Sequence, residues 1–319
     1  MAGATLPRSR TEAPTNLPAQ LSSFVGRERE IAEVTHLLAG GARLVTLTGP
    51  GGAGKTRLAL EVAARLLPTV PDGVWLVDLA PLTDAALAPL AVASAAGIQE
   101  ESRSPPLETL RRALRERRVL SVLDNCEHLI DACASLVEAV LSACPAVQVL
   151  ATSREVLRVA GETVWRVPAL AVPPLAPALP ADALARYEAV RLFLERARAV
   201  QPRFGLTAAN APAVAQLCRR LDGMPLAIEL AAARTRVLSV DELLARLEDR
   251  FRLLTGGGRT ALPRQETLRA AVEWSYDLLS EAEQTLFARL SVFAGGWTLA
   301  AAEAVAADPE PATASEGHE

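Results

Sequence analysis

The segment GPGGAGKT, residues 49–56, holds the most concentrated chemistry in the chain. Gly49, Gly54, Lys55 and Thr56 fit the spacing G-x-x-x-x-G-K-[ST]. In such a loop the glycines let backbone N–H groups turn inward and surround phosphate oxygens. The N-terminus of the following helix adds its partial positive charge. Lys55 then reaches the β- and γ-phosphates and Thr56 ligates Mg²⁺. The candidate binding stretch is Gly49, Gly51, Gly52, Ala53, Gly54, Lys55, Thr56 and Arg57. The basic residues number 33, and a single one, Lys55, is lysine. An ammonium kept at one place, in a chain that otherwise uses arginine, marks a position where a compact point charge is needed. A Gly-rich turn without a ligand is the plain alternative. The apolar strand before the loop, the helix after it and the lone lysine weigh against it.

Three further residues belong to the same chemistry. VLSVLD, 119–124, is an apolar run that ends in Asp124. A carboxylate at a strand's C-terminal end, beside a phosphate loop, is where Mg²⁺ needs its second protein partner, so Thr56 and Asp124 are the candidate metal residues. Alone, Asp124 would read as a cap of the next helix. Glu127 could orient or activate a water, or serve as an ordinary first-turn glutamate. Asn125, where an adjacent acid would help hydrolysis, cannot act as a base. ATSR, 151–154, closes another strand. If that strand lies beside the phosphate-loop strand, Arg154 faces the γ-phosphate and senses its presence. A surface arginine is the even alternative.

These residues need a scaffold, and the periodicity supplies one. REREIAEVTHLL (27–38) predicts an amphipathic helix with Ile31, Val34, Leu37 and Leu38 inward. Strands are predicted at 43–49, 73–80, 119–124, 147–153 and 163–167, with helices at 55–67, up to about 116, and over 127–143. Leu129, Ile130, Cys133, Leu136, Val137, Val140 and Leu141 form the stripe of the last helix. Strands alternating with helices mean a parallel sheet covered on both faces. Five prolines at 168, 173, 174, 177 and 180 break the pattern. The chain is then helical from about 184 to 254. TGGGR, 255–259, breaks it again, and Ser280 and Glu283 form a capping box for a helix over about 281–291.

Composition excludes several classes. The 319 residues are 50% hydrophobic and 22% charged, which is globular usage. The net charge of −4 argues against a chain built to coat nucleic acid. RRALRERR, 111–118, reads as a solvated helix end rather than a nucleic-acid patch. The four cysteines make no C-x-x-C pair, so neither a zinc site nor a disulfide framework is expected. No run is long enough to span a membrane and no signal peptide is visible, so the expected location is cytoplasmic.

FVGRERE (24–30), GPGGAGKT, LDNCEH (123–128), TSRE (152–155) and GMPLAIELAAAR (223–234) occur in this order. The ordered set resembles the STAND-class ATPases, of the NB-ARC kind found in large bacterial transcriptional regulators. The stretch 268–305 is similar to their winged-helix region. The resemblance implies that Val25, Gly26 and Arg27 line the adenine and ribose, and that Gly223 and Pro225 belong to a helical lid whose proline packs on the base. A turn opening a helix is the plain reading of Gly223 and Pro225. The pattern departs from the family within the winged helix, where two helices and a fragment of a third precede no wing strands.

The fold expected is α/β: a parallel-sheet P-loop NTPase domain followed by a helical domain and a partial winged helix. Its divisions are a flexible arm (1–20), the α/β domain (21–167), a proline-rich linker (168–183), a helical lid (184–255), a partial winged helix (256–308) and a disordered tail (309–319). The expected function is a switch that binds ATP or ADP with Mg²⁺ and hydrolyses ATP slowly, with Glu127 and Arg154 as catalytic candidates. It would regulate transcription through partner domains. Protein partners or self-association are expected, without direct DNA binding by this chain and without a membrane. The alternatives are a P-loop small-molecule phosphotransferase and a truncated interaction remnant, the latter with Leu290, Phe293 and Trp297 exposed.

Overall fold

A computed structural model of the chain describes residues 13–99, 104–175, 179–247, 276, 279–293 and 297–306. The first helix, α1 (Glu28–Ala39), carries Glu28 and Glu30 in its first turn, where acids suit the helix dipole. It turns Ile31, Val34 and Leu38 inward and stops at Gly40. Strand β1 (Leu44–Thr48) is buried along its whole length, as a parallel strand covered on both faces must be. Helix α2 (Lys55–Leu66) begins directly after the glycine loop. Then come β2 (Val74–Asp78), α3 (Ala88–Ala95), α4 (Pro106–Leu114), β3 (Leu120–Asp124), α5 (Ile130–Ala143), β4 (Gln148–Ser153) and β5 (Glu162–Arg166).

The strands form one parallel sheet in the order β2-β3-β4-β1-β5. Thr48 of β1 pairs with Ser153 of β4, and Asp78 of β2 with Asp124 of β3, so the chemistry-bearing strand ends share one edge of the sheet. Side chains alternate between the two covering layers. Val45, Leu47, Val122 and Leu150 pack with Ile31, Leu58 and Val62 on the α1–α2 side. Leu44, Leu123, Val149 and Ala151 pack with Leu110, Cys133, Val137 and Val140 on the α3–α5 side. Each such leucine or valine contributes roughly 1.5–3 kcal/mol by leaving water. The parallel sheet is the one the alternation predicts, and with the glycine loop after β1 it makes a P-loop NTPase-like fold. All four cysteines are free and buried.

After β5 the described chain is helical: α6 (Ala181–Leu184), α7 (Glu188–Val200), α8 (Ala211–Arg220), α9 (Pro225–Ala233) and α10 (Val240–Arg246). Phe193, Val214, Leu217, Ile228, Ala231 and Leu243 are the centre of a separate core, with Phe193 and Phe204 edge to face at 5.8 Å. Two more helices, α11 (Glu281–Leu290) and α12 (Leu299–Ala306), lie near the end. The Ser280–Glu283 capping box is formed. Trp297 is 53% exposed, whereas Leu290 and Phe293 are half-buried. The TGGGR break, residues 248–275 of the helical and winged-helix stretches, and the tail from 307 lie outside the described residues.

Three expectations change. Residues 13–17 are not a flexible arm. Thr15 bridges Val74 in parallel, its hydroxyl donates to Val74 O at 2.8 Å, and Asn16 both donates to Leu76 O and accepts from Leu76 N. This strap covers the open edge of β2, whose unpaired groups would otherwise face water. Residues 1–12 lie outside the described residues. The proline-rich stretch is docked rather than free: Leu170 is buried in the helical core, its N–H donates to Gly223 O at 3.0 Å, and Ala189 N–H donates to Ala171 O. The predicted helix over 127–143 is a 3₁₀ turn (Cys126–Leu129) followed by α5, because Leu129 leaves helical geometry with φ −130° and ψ 36°.

Candidate functional site

The glycine loop leaves β1 at the carboxyl edge of the sheet, where parallel α/β sheets bind ligands. Gly52 (φ +78°) and Gly54 (φ +87°) hold left-handed backbone, which a side chain would strain. A Cβ on Gly52 would stand 2.9 Å from Leu226 Cβ, so the absence of a side chain also admits α9. Leu226 N–H donates to Gly52 O at 3.3 Å. Gly49 closes β1 with φ +149° beside Val167 O. Ala53 is buried, and its N–H donates to Pro50 O.

Lys55, the first residue of α2, is only 8% exposed and donates from Nζ to Gly49 O at 2.8 Å and Pro50 O at 3.2 Å. An ammonium held within the loop is placed to meet an anion there. Thr56 Oγ1 donates to Asp124 Oδ1 at 2.7 Å. Asp124 Oδ1 also accepts from Thr152 Oγ1 at 2.5 Å, and Oδ2 accepts from Asn125 Nδ2 at 2.8 Å. Burial pushes the Asp124 carboxyl above the usual aspartate range, while the two threonine hydroxyls pull the other way. Asn125, at φ +64°, bends the chain so that Glu127 points into the site. Glu127 and Arg154 form an ion pair at 3.4 Å, with the glutamate side chain 5% exposed. Arg154 follows β4, which does lie beside β1.

The opposite wall comes from the segment before α1 and from the helices. Arg27 takes a left-handed conformation (φ +64°) and is buried. Its Nη2 donates to Ala53 O at 2.7 Å and to Pro168 O at 2.9 Å, so it ties the loop to the proline-rich stretch. Burial lowers the Arg27 pKa, with Glu30 and Glu188 opposing. Its N–H donates to Glu188 Oε1 at 2.6 Å, and a Cβ on Gly26 would strike that carboxylate. Gly223 (φ +65°) turns the chain into α9, and a Cβ there would sit 2.2 Å from Leu170 O. Pro225 then opens α9 within 3.8 Å of the Cβ position on Gly54.

A cavity of about 300 Å³ lies between these walls. Val25, Arg27, Gly51, Gly52, Gly54, Lys55, Thr56, Arg57, Glu127, Arg154 and Pro225 line it. Gly26, Gly49, Ala53, Asp124 and Gly223 shape its walls from behind. Sequence reasoning missed Phe24, Leu170, Leu192, Leu226 and Glu229, which also line it. Phe24, Leu226 and Glu229 do fall inside FVGRERE and GMPLAIELAAAR, and Glu229 is an acid in the otherwise apolar run PLAIELAAA. The lining combines the glycine loop with Lys55, Thr56 and Arg154 and an apolar set of Phe24, Val25, Leu170, Leu192, Pro225 and Leu226. Arg27 Nη1 and Glu127 Oε2 are buried without a hydrogen-bond partner. A phosphorylated ligand with a flat apolar part fits this lining.

Fold and loop together define a P-loop protein. Residues 38–159 match the AAA domain family. The chain is 45% identical over 290 residues to Rv0894 of Mycobacterium tuberculosis, named only as uncharacterized, covering 91% of this chain and 70% of that protein. It therefore belongs to the same family as Rv0894. It is also 50% identical over 265 residues to Rv0890c of M. tuberculosis, named as an HTH-type transcriptional regulator. That alignment covers 83% of this chain, and the chain spans 28% of the regulator's length. A STAND protein with a tetratricopeptide repeat sensor from Pyrococcus horikoshii aligns with 93% of this chain and 38% of its own, at 17% identity and a TM-score of 0.42. No helix among the described residues is long and apolar enough to cross a membrane.

Proposed function

We propose that the chain is an ATP- and ADP-binding switch module with slow ATP hydrolysis, serving transcriptional regulation through partner domains. The observation that carries this reading is Lys55 and Thr56, bonded to loop carbonyls and to Asp124, in a cavity whose far wall is Pro225. The loop from Gly49 to Arg57 would hold the phosphates. Val25, Gly26 and Arg27 would form the base and ribose wall with Gly223 and Pro225. Thr56 and Asp124 would hold Mg²⁺. When bound, ATP supplies the bond to be cleaved and Mg²⁺ supplies charge for the phosphates.

The chain's own groups do the rest. Lys55 and the loop N–H groups orient the phosphates, and Pro225 and Leu226 exclude water from the opposite side. Glu127 is held in an ion pair with Arg154, and each must leave the other to reach a water or the γ-phosphate. Slow turnover suits that pairing, and a lasting nucleotide state suits a switch. The name of Rv0890c supports a regulatory output. The test is single-turnover hydrolysis beside ADP retention. Glu127→Gln and Arg154→Ala should each lower turnover roughly 100-fold while ADP stays bound. Unchanged turnover in both variants would remove them from the mechanism.

A further inference from the structure

We propose that Glu229 is a positioning residue of this site, the centre of a two-arginine clasp that holds the cavity mouth in place. The proposal rests on the nucleotide reading above. Glu229 Oε1 accepts from Arg57 Nη1 at 3.2 Å and from Arg196 Nε at 2.9 Å. The same two guanidinium groups each donate from Nη2 to Ser23 O at 2.8 Å. Two cations thus span the same two acceptors, and the four groups close a ring. The Arg57 guanidinium also lies 5.6 Å above the Phe24 ring.

The ring joins four parts of the chain that meet nowhere else in sequence. Arg57 follows Thr56 on α2, Arg196 is on α7, Glu229 is on α9 and Ser23 precedes α1. Phe24, Val25, Arg57 and Glu229 all line the cavity. The clasp therefore fixes the segment before α1 and the helix carrying Pro225 against the first turn after the phosphate loop. Its members are partly buried, with side-chain exposures of 30% for Arg57, 16% for Arg196 and 31% for Glu229, so water screens them incompletely. Glu229 is the carboxylate that bridges the two guanidinium groups, Glu195 is a further partner of Arg196 at 2.8 Å, and Arg196 repels Arg57. Removing Glu229 sets the two arginines against each other and releases both from α9.

The sign of the effect separates positioning from simple charge. Glu229 is an anion beside a site for a polyanion. Coulomb attraction alone says that Glu229→Gln retains nucleotide longer. A positioning role says the reverse. The experiment measures release of an N-methylanthraniloyl-ADP probe and, in the same protein without nucleotide, hydrogen exchange over residues 22–25. Glu229→Gln should release the probe at least about tenfold faster, and its exchange at 22–25 should rise about as much. Glu229→Asp keeps the charge but shortens the reach, so it should behave like Glu229→Gln. Unchanged or slower release in Glu229→Gln overturns the proposal. If the wild type takes up no probe, the nucleotide reading fails, and the clasp stands or falls on the exchange result alone. Should Glu229→Gln not fold, Arg196→Gln, which leaves the Arg57 pair intact, must still accelerate release; no acceleration overturns the proposal.

Discussion

Asp124 shows how one residue serves structure and chemistry at once. Three donors hold its carboxylate, yet burial raises its pKa. Mg²⁺ needs the ionised form. A raised pKa means protonation begins at a higher pH than for an exposed aspartate. The Mg²⁺ enhancement of ADP retention should therefore fade, as pH falls, earlier than the carboxylate range of an exposed aspartate (about 3.9) implies. A retention series against pH, with and without Mg²⁺, checks this. Gly223 shows the steric counterpart. Its positive φ and the Leu170 carbonyl leave no room for a methyl group. Gly223→Ala should cost roughly 2–3 kcal/mol and lower the unfolding midpoint by several degrees. An unchanged midpoint in thermal unfolding would contradict the packing described.

Elements were legible in the sequence where one local rule was enough. The buried run of β1, the glycine loop and the alternation of strand with helix gave the parallel sheet, and the Ser280–Glu283 spacing gave a cap. What was not legible depends on partners distant in sequence. Thr15 and Asn16 look like linker residues until β2 offers them an open edge. The proline-rich stretch looks like a hinge until Leu170 meets Gly223. Arg57 reads as the end of the phosphate-loop stretch, and Arg196 and Glu229 as unrelated helix charges, until α2, α7 and α9 converge. Asn16→Ala removes both bonds to the Leu76 backbone and should cost about 1–2 kcal/mol, read from denaturant midpoints at unchanged m-value. A cost near zero would mean the strap adds nothing to the sheet edge.

At the scale of the whole molecule, the sheet and the helices are joined at the site itself. Arg27 to Glu188, Leu226 to Gly52 and the Glu229 clasp all cross between them within reach of the cavity. A ligand there touches both parts, so its binding energy is shared by both. Saturation with ADP at about a hundredfold over Kd should add about 2.7 kcal/mol and shift one cooperative transition rather than one of two. The most direct test of the central claim is the nucleotide the protein carries through purification. Wild type and Lys55→Ala would be purified without added nucleotide and denatured, and the released bases separated by chromatography. Near-stoichiometric adenine nucleotide, chiefly ADP, should come from the wild type and none from the variant. An empty wild-type site that also takes up no added ADP with Mg²⁺ would contradict it.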